Sequence, residues 1–325
     1  MMNISVIGAG YVGLITGIGF AKLNHHVSIV DLNDDLIKNL NENRPPFYEP
    51  ELVDYLNDSN IRNNLFFSTS YQKSINENTD IVFVCVQTPT DPDTGKTKTD
   101  YISSVLTELK KIESFNFIIC IKSTIKATLI EKISNEIDLD YKKIIFNPEF
   151  LREGSAFYDF FNPDRIVIGG SDQKGLNQCT ELYESFDCEK IITDSNSSQM
   201  IKYLSNTYLA MRLSFVNETY RLVSEFNGNP EQVLHAIGKD KRIGNDYFRP
   251  SPGWGGSCFP KDVKEVMSSF QMDYQLPIIS EILRSNESIL IIKSFVTPTK
   301  IVKELKTKHI YDVPFISSID SKTLN

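Results

Sequence analysis

The sequence predicts an α/β protein, with an N-terminal Rossmann-like, doubly wound parallel sheet followed by a helical central domain. Strand-like apolar runs alternate with helical patterns in the first half of the chain. A GAGYVG motif that begins at Gly8 separates the first predicted strand from the first predicted helix. An uninterrupted helical pattern then occupies residues 197–225. With 325 residues, the chain suits two domains better than one.

Composition and charge narrow the possible functions. The chain is 41% hydrophobic and 23% charged, as is typical of soluble globular proteins. No signal peptide precedes the first strand and no apolar run is long enough for a membrane span, so we expect a cytoplasmic protein. The net charge of -8 argues against nucleic-acid binding. The five cysteines lack a short regular spacing, so neither a disulfide framework nor a metal site is expected.

The GAGYVG motif is typical of dinucleotide binding, because a predicted strand precedes it and a helical run follows. Gly8 would make the tight turn, Gly10 would let a pyrophosphate approach, and Gly13 would allow the helix to pack closely on the strand. The phosphates would then lie at the N-terminus of the helix. The next strand ends at Asp31, whose carboxylate would accept hydrogen bonds from the ribose and repel a 2′-phosphate, so NAD is favoured over NADP.

The pattern continues through further strands and helices. Helices are predicted at 34–43 and 51–56, and strands at 65–68, 81–86, 117–121 and 143–146. Several strands are continuous apolar runs, which favours parallel strands covered on both faces, and Cys85 and Cys120 within them are expected in the core. Polar loops containing Thr88, Thr124 and Glu149 follow three of these strands and should face the cofactor. Ordinary turn chemistry is the alternative for each loop.

Two pairs of polar residues have helical spacing. Glu149 and Glu153, in the segment NPEFLREGSA, could share one helix face, although a solvated charged turn would look the same. Lys202 and Asn206 lie four residues apart in the long helical pattern and therefore on one face. They could donate hydrogen bonds to a developing oxyanion, and the alternative is a solvated helix surface.

Cys258 follows a glycine-rich stretch, PGWGGS, and precedes Lys261 and Asp262. Glycines let the backbone approach a ligand closely, and a nearby cation favours the reactive thiolate. The alternative is a glycine-rich surface turn with a structural cysteine.

Four motifs together, GAGYVG, NPEFLREGSA, Lys202-Tyr203-x-x-Asn206 and PGWGGSCFPKD, resemble those of the UDP-glucose/GDP-mannose dehydrogenase family, from Asn3 to about Asn286. The resemblance implies the four-electron oxidation of the C6 alcohol of a nucleotide sugar to a carboxylate, with two NAD reduced in sequence. UDP-glucose, giving UDP-glucuronate, is the expected substrate, and another nucleotide sugar such as GDP-mannose is the alternative. The resemblance also implies a homodimer formed through the long central helix, and a role in polysaccharide synthesis.

The resemblance assigns chemical roles as well. Cys258 matches the catalytic thiol, which forms a thiohemiacetal and then a thioester. Lys202 and Asn206 match the residues that stabilise the oxyanion, and Glu149 supports Lys202. Asp262 and Thr124 match the residues that hold a catalytic water. Glu153 matches the candidate general base for hydrolysis.

Binding residues follow from the same motif matching. Those expected to bind the cofactor are Gly8, Gly10, Tyr11, Val12, Gly13, Asp31, Thr88, Thr124, Glu153 and Lys261. Those expected to bind the substrate are Phe150, Leu151, Lys202, Asn206, Arg242, Tyr247 and Gly255, with Arg242 presented to the partner subunit's site.

The sequence departs from the family in two places within the motifs and at its end. Gln199 stands where the family usually has a glutamate, and the segment from Ser123 lacks the usual proline and glycine. We expect an NAD-binding domain at 1–195, a central domain at 196–288 and a divergent tail at 289–325 in place of a UDP-binding domain. We therefore expect weak or absent turnover by this chain alone.

Two other readings stay open. One is a truncated chain that binds NAD and dimerises without turnover. The other is a dehydrogenase that makes a single hydride transfer on a hydroxy acid and does not need Cys258.

Overall fold

The structure is a computed structural model that describes residues 1–91, 94–112, 116–256, 258–269 and 276–294. The chain forms two compact units. The first comprises Met1–Pro89 and Thr97–Lys202, and the second comprises Thr90–Lys96 and the chain from Tyr203 onward. The boundary expected at residue 195 is the first residue of a long helix that begins in the first unit and continues in the second. Of the expected tail, residues 289–294 belong to a helix and residues 295–325 lie outside the described residues.

The strands of the first unit form one eight-stranded sheet in the described part of the chain. Their bounds are β1 Asn3–Ile7, β2 His26–Val30, β3 Leu65–Ser68, β4 Ile81–Val84, β5 Ile118–Ile121, β6 Ile144–Phe146, β7 Arg165–Gly169 and β8 Glu189–Thr193.

Helices connect these strands and make up most of the described part of the second unit. Their bounds are α1 Tyr11–Lys22, α2 Asp34–Asn41, α3 Leu52–Asn57, α4 Ser59–Arg62, α5 Tyr71–Ser74, α6 Asp100–Lys111, α7 Ala127–Glu136, α8 Ala156–Phe161, α9 Gln173–Leu182, α10 Ser195–Glu225, α11 Pro230–Gly238, α12 Phe259–Ser269 and α13 Pro277–Ser294, with a 3-10 turn at Tyr141–Lys143.

The order of strands across the sheet is β3-β2-β1-β4-β5-β6-β7-β8. β1 therefore lies between β2 and β4, with Ile7 beside Val30 on one side and Val84 on the other. The winding direction reverses between β1 and β4, and ligands of such sheets bind at the carboxyl ends of the strands at this point. The predicted doubly wound parallel sheet is confirmed, except that β6 and β7 pair in the antiparallel direction, Phe146 opposite Gly169.

Apolar side chains cover both faces of the sheet, as the continuous apolar strands predicted. One cluster packs α1 and α8 around Phe20, whose ring stacks on Phe83 at 5.5 Å between centroids. The other packs α6 and α7 against β4 and β5. The core positions predicted for Cys85 and Cys120 are confirmed, since both thiols are buried.

In the second unit, α10 packs against the segments that follow it. One cluster joins Ala210 of α10 with Trp254, with Val263 of α12 and with Ile282 of α13. Another joins Val216 of α10 with Leu234 of α11 and Phe248.

A stripe of exposed apolar residues runs along α10 and ends just beyond it. Its members, spaced by four or seven residues and therefore on one helix face, are Leu204, Tyr208, Phe215, Leu222 and Phe226. We call this set the α10 stripe.

Among the described residues, no helix is both long and apolar enough to cross a membrane.

Candidate active-site residues

The glycine-rich loop joins β1 to α1 at the switch point of the sheet. Gly8 has φ +98°, and a Cβ there would lie 2.8 Å from the carbonyl oxygen of Cys85. A Cβ on Gly13 would lie 1.9 Å from the carbonyl oxygen of Gly8. By contrast, a Cβ on Gly10 would meet nothing within 4 Å. The loop is thus closed on the protein side and open at Gly10, where a pyrophosphate could reach the N-terminus of α1.

Asp31 lies directly after β2 and contacts the same loop. Its Oδ2 accepts a hydrogen bond from the amide of Ala9 at 2.9 Å, and its Oδ1 accepts one from the amide of Asn33 at 3.0 Å. The carboxylate therefore also braces the glycine-rich loop. The chemistry of this edge, with open amides at the start of α1 and a carboxylate at the end of β2, fits a dinucleotide.

Val12 is partly buried against the core of the first unit, and so is Leu151.

The loops after β4 and β5 are tied to each other. The hydroxyl of Thr88 donates to the carbonyl oxygen of Thr124 at 2.9 Å, and that of Ser123 donates to the carbonyl oxygen of Val86 at 2.6 Å. The buried Gln199 accepts a hydrogen bond from the amide of Ile125 at 3.3 Å, so the residue that departs from the family pattern contacts the loop of Thr124.

Glu149 and Lys202 form a buried ion pair in the first unit. The distance from Nζ of Lys202 to Oε1 of Glu149 is 2.9 Å, and the two side chains are 4% and 8% exposed. Burial by itself would raise the pKa of the Glu149 carboxyl. The charge and hydrogen bond of Lys202, the amide of Leu151 and the charge of Lys122 together hold that pKa below its usual value. The Glu149 carboxyl is therefore ionised at neutral pH.

The prediction that Glu149 and Glu153 share a helix face is wrong, because residues 147–155 do not form a helix. Oε2 of Glu149 accepts a hydrogen bond from the amide of Leu151 at 2.6 Å, and Gly154 has φ +87°. Both features belong to a turn rather than a helix. Glu149 is consequently buried, whereas Glu153 is exposed.

Phe150 lies between two cations of the first unit. Its ring centroid is 5.3 Å from Nζ of Lys202 and 4.0 Å from the guanidinium carbon of Arg165. The ring thus helps to fix the Lys202 side chain.

Lys122, which was not identified from the sequence, follows β5 directly and is buried. Its Nζ donates to Oδ1 of Asn147 at 2.8 Å, and the hydroxyl of Tyr183 donates to the same oxygen at 2.5 Å. Burial lowers the pKa of the Lys122 ammonium. The sequence feature that could have identified Lys122 is a lysine directly after an apolar strand, because such a side chain needs either water or a specific acceptor.

In the second unit, Asn206 of α10 contacts Asp262 of α12. Nδ2 of Asn206 donates to Oδ2 of Asp262 at 2.6 Å, and both side chains are buried. Nζ of Lys261 lies 2.8 Å from Oδ1 of Asp262. One oxygen of this carboxylate therefore accepts a hydrogen bond from Asn206, and the other lies within ion-pair distance of Lys261. Lys202 and Asn206 lie one turn apart on α10, as predicted.

Cys258 is exposed and lies immediately before α12. Its carbonyl oxygen accepts a hydrogen bond from the amide of Asp262 at 2.9 Å, so Cys258 is at the N-terminus of that helix. We call residues 252–256 and Cys258 the thiol loop, in which Gly253 and Gly256 have φ +104° and +76°. Residues with a side chain rarely adopt these backbone angles, which explains two of the three glycines.

The thiol loop is held at Trp254. The side-chain amide of Asn286 in α13 accepts from the Trp254 amide and donates to its carbonyl oxygen, each at 2.8 Å. The indole nitrogen donates to the hydroxyl of Ser214 in α10 at 2.9 Å. The sequence analysis did not identify Asn286 or Ser214, because neither stands in a chemical motif.

The remaining predicted substrate residues lie elsewhere in the second unit. The guanidinium of Arg242 is exposed and lies 2.7 Å from the carboxylate of Asp240. Tyr247 has φ +54°, and its ring centroid is 6.4 Å from that of Phe259. Gly255 is half-buried within the thiol loop.

Comparison with known proteins defines the class of protein. Residues 2–187 match the UDP-glucose/GDP-mannose dehydrogenase family, NAD binding domain, and residues 196–288 match the central domain of that family. The chain therefore belongs to the UDP-glucose/GDP-mannose dehydrogenase family. Its cofactor is NAD, and residues 2–187 are the domain that binds it.

Particular relatives carry more specific names. The chain is 34% identical over 296 residues to UDP-glucose 6-dehydrogenase YwqF of Bacillus subtilis, a match that covers 88% of this chain and 66% of the relative. It is 36% identical over 287 residues to UDP-glucose 6-dehydrogenase of Rhizobium meliloti, covering 85% of this chain and 65% of the relative. The chain thus spans about two thirds of the length of these curated relatives.

Solved structures of the family have the same fold. A UDP-glucose dehydrogenase from the hyperthermophilic archaeon Pyrobaculum islandicum is 34% identical, with a TM-score of 0.82, and the match covers 89% of this chain and 68% of that one. A GDP-mannose dehydrogenase from Pseudomonas aeruginosa is 28% identical, with a TM-score of 0.71, and the match covers 91% and 72%.

Proposed function

We propose that this chain is an NAD-dependent dehydrogenase that oxidises UDP-glucose to UDP-glucuronate in two successive hydride transfers. The observation that carries the proposal is the pair of anchored donors on one face of α10. Lys202 is held by Glu149 at 2.9 Å, and Asn206 is held by Asp262 at 2.6 Å. Two preorganised donors one helical turn apart suit an oxygen atom on which negative charge develops.

The first half of the proposed reaction converts the C6 alcohol to an aldehyde. NAD, which the glycine-rich loop and Asp31 would hold, would supply the acceptor for the hydride lost in this oxidation and for the hydride lost in the second one. The proton of the alcohol leaves to water. The ammonium of Lys202 and the amide of Asn206 donate hydrogen bonds to the C6 oxygen, which is negatively charged in the transition state. The ion pair with Glu149 orients Lys202, and the Glu149 carboxyl is ionised because its pKa is lowered.

The second half depends on Cys258. Its thiolate attacks the aldehyde carbon, an S–C bond forms, and the carbonyl electron pair moves to oxygen to give a thiohemiacetal. Loss of a second hydride gives a thioester. Water then breaks the S–C bond, which releases the carboxylate and regenerates the thiol, with Glu153 as the candidate base. The exposure of Cys258 and its position at the N-terminus of α12 support this role, since helix N-termini favour anions.

Replacement of Cys258 by serine tests this function. We expect the Cys258→Ser variant to stop after the first oxidation, so that it releases NADH and an aldehyde that a hydroxylamine reagent traps. Cys188→Ser is the matched control, because Cys188 is half-buried in the first unit and has no proposed role. A Cys258→Ser variant that forms UDP-glucuronate at the wild-type rate would contradict the proposal. GDP-mannose, tested in parallel, would reveal a different nucleotide sugar as the substrate.

We also propose that the chain forms a homodimer through the α10 stripe. Four members of the stripe are large apolar side chains that are at least half exposed: Tyr208 and Phe215 at 55%, Leu222 at 59% and Phe226 at 79%. A continuous apolar face of this kind indicates an interaction surface. In sedimentation velocity experiments, Phe215→Glu should shift the chain to a monomer, whereas Arg221→Glu, an exposed charge reversal on the same helix, should not. A dimer that persists in Phe215→Glu would contradict this assignment.

A further inference from the structure

Glu49 is a buried carboxylate in the first unit that the mechanism above does not use. It lies between α2 and α3 and is 3% exposed. Its Oε2 accepts hydrogen bonds from the hydroxyl of Tyr11 at 2.7 Å and from the amide of Gly154 at 2.9 Å. Its Oε1 accepts a third from the amide of Ala156 at 2.8 Å. A buried carboxylate needs such donors, and hydrogen bonds to a charged acceptor are about twice as strong as neutral ones.

These donors come from two functional segments. Tyr11 is the first residue of α1 and follows Gly10, the open glycine of the loop. Gly154 follows Glu153 directly, and Ala156 begins α8. The hydroxyl of Tyr11 also lies 3.2 Å from the carbonyl oxygen of Arg152. One carboxylate therefore joins the helix that would receive the phosphates to the turn that presents Glu153.

The Tyr11 hydroxyl is locked as a donor. Burial, followed by the hydrogen bond and charge of Glu49, raises the pKa of this phenol far above its usual value. The ring of Tyr11 also packs against that of Phe47, with 5.1 Å between centroids, two residues before Glu49. The side chain at the start of α1 is thus fixed at both its ring and its hydroxyl.

We propose that Glu49 is a positioning residue, which aligns the N-terminus of α1 with the turn of Glu153 and so couples NAD binding to the placement of that carboxylate. The NAD-binding part of this proposal rests on the family domain, and the Glu153 part rests on the proposed function. Glu49 itself need not contact the cofactor or the substrate.

Two variants separate the contact of Glu49 with Tyr11 from its contacts with the amides of Gly154 and Ala156. Glu49→Gln leaves one acceptor oxygen, and its NH2 group then faces a donor, either the Ala156 amide or the donors from Tyr11 and Gly154. Tyr11→Phe removes one hydroxyl and leaves both amide contacts. Tyr55→Phe is the matched control, because its hydroxyl contacts Lys22 at 2.5 Å, at the opposite end of α1.

The first readout is the dissociation constant of NAD+ by calorimetry, which needs no turnover. We expect increases of about fivefold in Tyr11→Phe and about tenfold in Glu49→Gln, from the size of single hydrogen-bond contributions. The double variant should bind no more weakly than Glu49→Gln, because both changes break the same contact. Tyr55→Phe should bind NAD+ as the wild type does.

The second readout is the turnover number at saturating NAD+. The turnover number of Tyr11→Phe should equal that of the wild type, because the amide contacts remain. The turnover number of Glu49→Gln should be lower than that of the wild type, because the turn of Glu153 is displaced. A Glu49→Gln protein with a lowered melting temperature but NAD+ affinity within twofold of the wild type would overturn the proposal, since Glu49 would then be only a structural contact. Additive losses in the double variant would also overturn it.

The outcomes separate this proposal from the proposed function. Wild-type protein that binds NAD+ but does not oxidise UDP-glucose would contradict the function, and the calorimetric comparison would still decide whether Glu49 aligns α1. Wild-type protein that does not bind NAD+ would overturn both.

Discussion

Lys202 and Glu149 form an ion pair that is almost completely removed from water, with 2.9 Å between Nζ and Oε1. Burying each charge is costly, and the attraction between the two side chains offsets part of that cost, so the loss of either one destabilises the other. The amide of Leu151 adds a second hydrogen bond to the carboxylate. The pair thereby fixes a cation of the first unit in the third turn of α10.

Removal of one partner should therefore destabilise the protein. We expect Glu149→Gln or Lys202→Met to lower the free energy of unfolding by about 3–5 kcal/mol, the range for a broken buried pair. The double variant should lose less than the sum of the single losses. Urea denaturation measures these values, and strict additivity would show that the pair is not coupled.

The same pair predicts a pH dependence of stability. The pKa of Glu149 is lower in the folded state than in the unfolded state, where it is about 4.3. Its contribution is therefore fully present above pH 4.3 and is lost as the pH falls through the folded-state pKa. Carboxyl groups titrate between about pH 5 and about pH 3. As the pH is lowered through this range, the free energy of unfolding should fall less steeply in Glu149→Gln than in the wild type.

Glu136→Gln is the control for this pH series, because Glu136 is 60% exposed and pairs with Lys132 at 3.9 Å. Its stability should follow the wild-type pH curve. Parallel pH curves for wild type and Glu149→Gln would mean that Glu149 does not titrate in the expected sense.

The contact between Asn286 and Trp254 predicts that a change in α13 alters the reactivity of Cys258. Asn286→Ala leaves the amide and carbonyl of Trp254 without their side-chain partner, at a cost of about 1–3 kcal/mol for each buried group. We expect a lower melting temperature and an altered rate of Cys258 alkylation by iodoacetamide, read for that peptide by mass spectrometry.

Ser285→Ala, the neighbouring change on α13, is the matched control. Ser285 donates to Glu218 and not to the thiol loop. An unchanged alkylation rate in Asn286→Ala would show that the side chain does not position the thiol loop.

Asp31 should determine the choice between NAD and NADP. Asp31→Asn removes the charge that repels a 2′-phosphate and keeps an oxygen that can accept from Ala9. The ratio of the NADP+ to the NAD+ dissociation constant should fall by about tenfold, which corresponds to roughly 1.4 kcal/mol. Asp35→Asn, an exposed change in the first turn of α2, should leave the ratio unchanged. A constant ratio in Asp31→Asn would contradict this role.

The sequence predicts local features of this fold well and long-range contacts poorly. The glycine loop and strands β1 to β6 were predictable because the loop needs Gly8 at positive φ and the buried strands are continuous apolar runs. The placement of Lys202 and Asn206 on one face followed from helical spacing alone.

Other contacts depend on residues far apart in the chain. Glu49 meets Gly154 across 105 residues, and its own surroundings, three prolines and two aromatic residues, resemble a surface turn. The helix expected around Glu149 and Glu153 does not form, because the Glu149 side chain bonds to the amide of Leu151. Helical spacing could not reveal that competition.

Oxidation of one sugar through two hydride transfers can be measured by counting the NADH released for each UDP-glucose consumed. The protein is mixed in excess over UDP-glucose with saturating NAD+, and NADH is read by absorbance while UDP-glucuronate is measured by chromatography. We expect a ratio of two NADH to one sugar, with UDP-glucuronate as the product. A ratio of one, with an aldehyde as the final product in the wild type, would contradict it.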